Sequence, residues 1–406
     1  MHSAPKKVLK DIFALCLGLL AALALGELCC RYLLPISTVC YLYDQDIGTT
    51  LSPNRTMRWT NRLDYDNWVT TNSQGFHDTE HGLQKQAGTY RILVLGDSFI
   101  EALQLPIAKT FTKILETRLN QRINRPKIEV INLGLSGRGP AQYYRILEKK
   151  GLAYNPDLVV MAVLPNNDFS DSYPEFSNYS YKPYYRMTEK NNIELIPFSI
   201  PPWYSPRSLF THSSMAYFFV YEILKRPDLA EVFIRMGLLP AMQVNPPSIT
   251  REDAKVSLPF GYGLYLKNPS PEWQEAYEIT LRMIREARNL AQKNGALFYA
   301  FAIPDLLRTR EDLQKQAKST YKDFSLDFDK PYKEIAKYCQ TWEIPFVDMS
   351  PFFVEDFKRH QQPHTWAHDG HWNERGHALG ADIMVAPLAR VITNTITHEQ
   401  RGKGEK

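Results

Sequence analysis

Apolar and polar positions along this chain fall into an alternating series of short buried runs and longer one-sided ones. "RILVL" (91–95) has no solvent face and reads as a strand covered on both sides, and 108–123 reads as a helix. "KIEVINL" (127–133) predicts a second strand, and "AQYYRILEKKG" (141–151) a helix stopped by Gly151. "LVVMAVL" (158–164) holds no polar residue and predicts a third strand. After a long break the alternation resumes at 270. Ser270 suits a helix cap, Pro271 its first turn and Gly295 its end. Between them Trp273, Tyr277, Leu281, Ile284, Ala287 and Ala291 share one face. "ALFYAFAIP" (296–304) predicts a fourth strand, 330–342 a helix, "IPFVDM" (344–349) a fifth strand, and 375–393 a closing helix. Strands and helices alternating at these lengths imply parallel strands with helical crossovers. The expected fold class is a three-layer α/β/α sandwich on a mainly parallel five-stranded sheet.

Three stretches fall outside that rhythm. Residues 36–89 are polar, aromatic and turn-rich, and read as a lead-in that packs on the main domain (90–395). Residues 169–268 are rich in Pro and Tyr and read as a long insertion, with one apolar helix near 215–237. Residues 396–406 read as a polar tail. The amino terminus (1–35) is different in kind. Lys6, Lys7 and Lys10 precede an unbroken apolar run from Ile12 to Leu25, then Gly26, Glu27 and "LCCRYLLP". Fourteen helical residues reach roughly 21 Å, short of a ~30 Å hydrocarbon core. A helix continuing through Cys30, with Glu27 snorkelling, reaches across. The segment is either a cleaved export signal, with "ALA" at 22–24 as the cleavage site, or an uncleaved anchor, which the apolar continuation favours. Either way the lysines stay cytoplasmic and the bulk of the chain is exported.

Composition adds limits more than direction. Hydrophobic residues make up 44% and charged residues 23% of 406, the balance of a globular chain. A net charge of +4 with no dense basic run argues against a nucleic-acid partner. The five cysteines form no framework and no CxxC pair.

Candidate chemistry sits where the predicted strands end, which is where open parallel sheets bind ligands. The first strand ends in Gly96-Asp97-Ser98, the second in "NLGLSG" (132–137), the third in "PNND" (165–168), and "HTWAHDGHWNERGH" (364–377) follows the fifth. A serine hydroxyl needs a neighbouring base, and His371 can serve. Asp369 can fix the imidazole tautomer and stabilise its cation. An attacked ester generates an oxyanion that needs preorganised donors, and the Ser98 and Gly137 amides with the Asn167 side chain can supply them. Asp97 is assigned to shaping the turn. Taken singly, each of these is an ordinary turn residue; their order, each at a strand end, makes the catalytic reading. A metal cluster of His364, His368, His371 and His377 competes, but lacks a paired helical spacing such as HExxH, and His377 suits packing of the closing helix. The G-x-S-x-G elbow of α/β-hydrolases fails, because Arg138 stands where its second glycine belongs.

In these four blocks the chain resembles the SGNH/GDSL hydrolase superfamily: "GDSF", "NLGLSG", "PNND" and "DGHWNERGH". The lead-in "TNSQGFHD…GTYRILVLGDSFIEA" resembles a bacterial branch with an amino-terminal membrane segment, which implies an anchor in the bacterial inner membrane and a periplasmic catalytic domain. The resemblance covers 70–168 and 271–395, and hardly touches the insertion. It implies a flavodoxin-like sheet, nucleophile Ser98, oxyanion donors Ser98, Gly137 and Asn167, base His371 with Asp369, and no cofactor or metal. Two positions depart from it. Pro165 replaces the glycine of the third block, and His368 stands three residues before His371, where the acid is common. The Asp-x-His spacing is similar instead to branches that include polysaccharide O-acetyltransferases. The expectation is an exported serine esterase acting through an acyl-Ser98 intermediate on an ester-bearing small molecule or acylated carbohydrate, O-acetyl groups of the envelope being one such class. The alternatives are an O-acyltransferase using the same residues and a non-catalytic glycan-binding or assembly protein.

Overall fold

The computed structural model describes residues 4–33, 37, 41–177, 181–188, 192–198, 213–216, 219, 226–236, 248–250 and 254–404. Its centre is a five-stranded sheet of β1 (Thr89–Leu95), β2 (Lys127–Asn132), β3 (Leu158–Val163), β4 (Leu297–Ala302) and β5 (Phe346–Asp348). All pairings are parallel, and the order across the sheet is β2-β1-β3-β4-β5. That is the doubly wound, flavodoxin-like order, whose direction switches between β1 and β3. The expected fold class is what the chain adopts.

Period-two alternation divides the core into two layers. Leu93, Leu95, Val159, Met161, Val163, Phe298 and Ala300 face one way, against helices Pro140–Ile146, Pro271–Lys293 and Lys330–Thr341. Ile92, Val94, Val160, Ala162, Tyr299 and Phe301 face the other, against Phe111–Arg122, Ser350–His360 and Glu374–Gly404. Because both faces are covered, these strands read as continuous apolar runs.

Helix Pro271–Lys293 ends and buries its face as the sequence predicts: Pro271 lies in its first turn, Gly295 follows it at φ +80°, and all six face residues are buried; Ser270 stands at the cap position, but its side chain makes no capping hydrogen bond. The helix after β2 does not stop as expected. Pro140–Ile146 passes into a widened turn, Leu147–Gly151, then a tight one, and the reversal comes at Asn155 in the left-handed region. Gly151 has a packing role instead. A Cβ there would stand 3.1 Å from Leu93 Cδ1 and 3.3 Å from Leu133 Cδ1, so glycine lets the helix lie close on the sheet. The closing helix also continues past 393 to Gly404, through much of what reads as a polar tail.

The lead-in consists of two antiparallel hairpins, Tyr41–Asp44 with Gly48–Leu51 and Thr56–Thr60 with Asp66–Thr70. Much of the insertion, including most of the apolar stretch expected near 215–237, lies outside the described residues; Pro227–Arg235 within it is helical. At the amino terminus Lys7–Leu33 is helical, 27 residues long and apolar enough to cross a membrane. The Glu27 carboxylate accepts from Arg31, from the Ser213 hydroxyl and from the Ser214 and Met215 amides at 2.7–2.9 Å.

Candidate active site

From Tyr90 to Leu105 every residue is buried except Ser98. The strand β1 ends, the chain turns at Asp97, and a short helix, Ser98–Glu101, begins. The Asp97 carboxylate caps that helix by accepting from the Phe99 amide at 2.9 Å, which leaves the Ser98 hydroxyl directed outward.

The His371 loop meets this serine across 273 residues of sequence. Ser98 Oγ and His371 Nε2 lie 2.7 Å apart, so the hydroxyl can donate to the ring. On the other side Nδ1 is hydrogen-bonded to Asp369 Oδ1, which also accepts from the His371 amide at 3.2 Å. With Nδ1–H donating to a carboxylate, Nε2 is the tautomer's acceptor. Phe99 lies against the imidazole with ring centroids 4.9 Å apart, fixing its plane.

The electrostatics favour a charged imidazole. Burial opposes the cation, but Asp369, Asp97 and Glu101 outweigh it, and the His371 pKa rises above its ordinary value. Asp369 moves down: burial works against its charge, and the His371 and Tyr65 hydrogen bonds prevail. Beneath the site lie three buried acids. Burial raises Asp97 to about 6 and Glu101 to about 7, and pushes Asp168 well above the carboxylate range, with the Asp97 charge adding to it.

The second block forms the adjoining turn. A Cβ on Gly134 would stand 2.4 Å from the Glu101 amide nitrogen, so only glycine allows this approach. Gly137 has φ +62°, again a glycine conformation. Glu101 ties the turn down: it accepts from the Ser136 amide at 3.2 Å, from the Ser136 hydroxyl, and from Tyr41 at 3.0 Å. The third block opens helix Pro165–Asp171, with Pro165 in its first turn and Asn167 partly exposed at the carboxyl end of β3. Ser98, Gly137 and Asn167 therefore follow three neighbouring strands at one rim of the sheet.

The four histidines of 364–377 go separate ways. His364 pairs with Asp356 at 2.7 Å and His368 with Asp64 at 2.9 Å. His377 is buried, accepts from the Phe111 amide at 3.1 Å, and is pulled by burial to about 3. Only His371 faces the serine, and this division of partners removes the basis for reading them as one metal cluster.

Several residues at the site carry no signal in the strand-end pattern. Tyr65 donates to Asp369 Oδ2 at 2.5 Å, and Asp64 accepts from the His368 amide at 2.8 Å. Lys182, from the insertion, is buried and bonded to Asp171 at 3.1 Å and Ser177 at 3.2 Å. A Cβ on Gly137 would lie 3.6 Å from its Nζ, so this cation stands beside the glycine turn. The one local clue is "NRLDY" (61–65), where Asn61 Oδ1 accepts from the Leu63 and Asp64 amides at 3.1 and 2.8 Å, a side-chain-made turn legible from its Asn and Asp.

No protein-family model and no curated protein sequence matches this chain. Among solved structures it is similar to the acetyl xylan esterase AlAXEase, with 12% identity over 73% of this chain and 98% of that one and a TM-score of 0.38. It is similar to a protein described as lipolytic and of the G-D-S-L family from Desulfitobacterium hafniense DCB-2, at 11% identity, 73% and 98% coverage and a TM-score of 0.35. A catalytic mutant of an acetylxylan esterase from Geobacillus stearothermophilus aligns at 13% identity, 74% and 95% coverage and a TM-score of 0.37. At such values the likeness concerns overall chain path, and the chemistry of this chain rests on its own geometry.

Proposed function

We propose that this protein is a serine esterase in which Ser98 attacks a carboxylic ester, His371 takes its proton, and Asp369 holds and stabilises the resulting imidazolium. The observation that carries the reading is the 2.7 Å contact between Ser98 Oγ and His371 Nε2, with Asp369 on the opposite ring nitrogen. Attack forms the Oγ–carbonyl bond and places negative charge on the carbonyl oxygen. The Ser98 and Gly137 amides and the Asn167 side chain are the donors proposed to receive it. Collapse expels the alcohol, protonated by His371, and leaves an acyl-Ser98. Water, deprotonated by the same imidazole, then releases the acid. No metal or cofactor is called on.

The proposed setting is extracytoplasmic. Support comes from the apolar helix at Lys7–Leu33 and from the lysines at 6, 7 and 10 on its amino-terminal side. Within that setting the substrate class proposed is an ester on envelope carbohydrate, O-acetyl groups in particular. The test uses the full chain in detergent: a fluorophosphonate probe labels wild type and spares Ser98→Ala, and acetate is released from p-nitrophenyl acetate and from an acetylated oligosaccharide. Equal labelling of both proteins overturns the assignment of Ser98. Acetate passing to added oligosaccharide in preference to water replaces hydrolysis by acyl transfer on the same residues.

A further inference from the structure

Asp369 stands on a turn whose backbone is closed by the Thr365–Trp372 bridge and by the Gly370 amide on the Trp366 carbonyl at 3.1 Å, but that pinning leaves the carboxylate free to rotate unless its second oxygen is also held. Its inner oxygen serves His371, while its outer oxygen meets the phenol of Tyr65 at 2.5 Å, its one donor there among the described residues. Next to it, Asp64 accepts from both the His368 amide (2.8 Å) and the His368 ring (2.9 Å). Two consecutive residues of the hairpin Thr56–Thr60/Asp66–Thr70 therefore grip two consecutive residues of the loop. The hairpin is itself fixed. Asn61 makes the turn that presents Asp64 and Tyr65, Met57 and Val69 are buried in the core, and the Asn67 side chain donates to the Leu103 carbonyl at 2.9 Å. Leu103 lies just past the helix that begins at Ser98. One hairpin thus touches the nucleophile's segment and the base's loop.

We propose that Tyr65 is a positioning residue of this centre, its phenol holding the outer oxygen of Asp369 so that the hairpin sets the angle at which the imidazole meets Ser98. The inference rests on reading Ser98, His371 and Asp369 as an acyl-transfer triad. Tyr65 acts through Asp369 and does not touch the reacting atoms. Its hydrogen bond has two consequences. It orients the carboxylate, and it draws negative charge away from the oxygen that faces His371. The charged and titratable groups around the imidazole are Asp369 on its own loop, Asp97 and Glu101 from the nucleophile's turn and helix, and His377 from the closing helix. The Asp64–His368 pair flanks Asp369. Of these, Asp369 is the group that accepts from the Tyr65 phenol.

Removing the phenol concentrates charge on the oxygen facing the ring and so stabilises the imidazolium, which must lose its proton before it can act as base. The experiment follows fluorophosphonate labelling of the full chain at saturating probe across pH. Tyr65→Phe is expected to slow labelling about 10-fold, the scale of one charge-assisted hydrogen bond, and to move the acid limb to higher pH by about half a unit. 3-Fluorotyrosine at position 65, a stronger donor of nearly the same shape, is expected to move that limb to lower pH, and it answers the question even where the Phe variant folds poorly. Opposite displacements support the role. Acid limbs that coincide with wild type in both proteins overturn it, whatever the rate does, because a purely structural contact changes rate without changing the base's proton affinity. If wild type and Ser98→Ala label alike, the triad reading itself fails; Ser98-dependent labelling with unmoved limbs sinks this inference alone.

Discussion

The two halves of the candidate site are held in opposite ways. Ser98 sits at the end of a buried strand and opens a helix capped by the adjacent Asp97, with every neighbour from Tyr90 to Leu105 buried. Asp369 and His371 sit on a tight loop closed by the antiparallel bridge Thr365–Trp372 and by the Trp366 amide on the His371 carbonyl at 2.8 Å, with Tyr65 and Asp64, some 300 residues earlier in the chain, on their outer side. The position of the proposed nucleophile is made locally, by strand, turn and cap. That of the proposed base is made by its own loop and braced from outside by a separate hairpin. Loss of the Ser98 hydroxyl should therefore act through chemistry alone, whereas damage to the hairpin should act at a distance, through alignment.

The sharpest break comes from the reacting groups. Ser98→Ala and His371→Ala are expected to lower ester turnover roughly 10⁴-fold or more, with circular dichroism and Tm close to wild type. Asp369→Asn should follow at roughly 10³-fold or more, because the amide cannot hold the imidazole in the required tautomer or balance its charge. Full activity in that variant would move the orienting role elsewhere. Asp64→Ala tests the braced side of the comparison. Loss of its two contacts to His368 is expected to lower kcat about 10-fold with little change in KM, as misalignment does.

The pH profile links both halves. His371 must be neutral to accept the serine proton, and its carboxylate neighbours raise its pKa, so kcat/KM should fall as pH drops through a limb lying above the ordinary histidine value of about 6.5. The smallest effect on activity is expected from Asp97→Asn. Asparagine caps as well as aspartate, and Asp97 Oδ2 is buried without a partner. Its folded-state pKa of about 6 exceeds the unfolded value of about 3.9, so the folded protein binds the proton more tightly. Stability from this group is therefore highest at low pH and declines as pH rises from about 4 to about 6. Asp97→Asn should flatten that part of the Tm profile and melt no lower than wild type at pH 8. Glu101, at about 7, shares the dependence that remains toward neutrality with His371 and Asp168, whose pKa values are also raised in the folded protein.

Apolar runs with two buried faces announce strands wherever they occur, because nothing else of that length hides every side chain. That is why β1, β3 and β4, and the helix opening at Pro271, were legible to within a residue or two. Strand order was not implied by alternation alone; it came through the family resemblance and is realised in the sheet. Boundaries failed where packing overruled punctuation. Gly151 looks like a helix stop, yet it sits inside a turn because Leu93 and Leu133 leave no room for a larger residue.

The sequence by itself determined which residues could do chemistry, since the strand ends carried a hydroxyl, two glycine turns, an amide and an imidazole beside a carboxylate. Tertiary structure alone decided that His364 and His368 pair with other carboxylates, that Glu101 and Ser136 pin the glycine turn, and that a tyrosine from the lead-in holds the acid. The physical reason is range. Strands, caps and turns are fixed by neighbours within a few positions, whereas a hydrogen bond across three hundred residues exists only after the layers have packed.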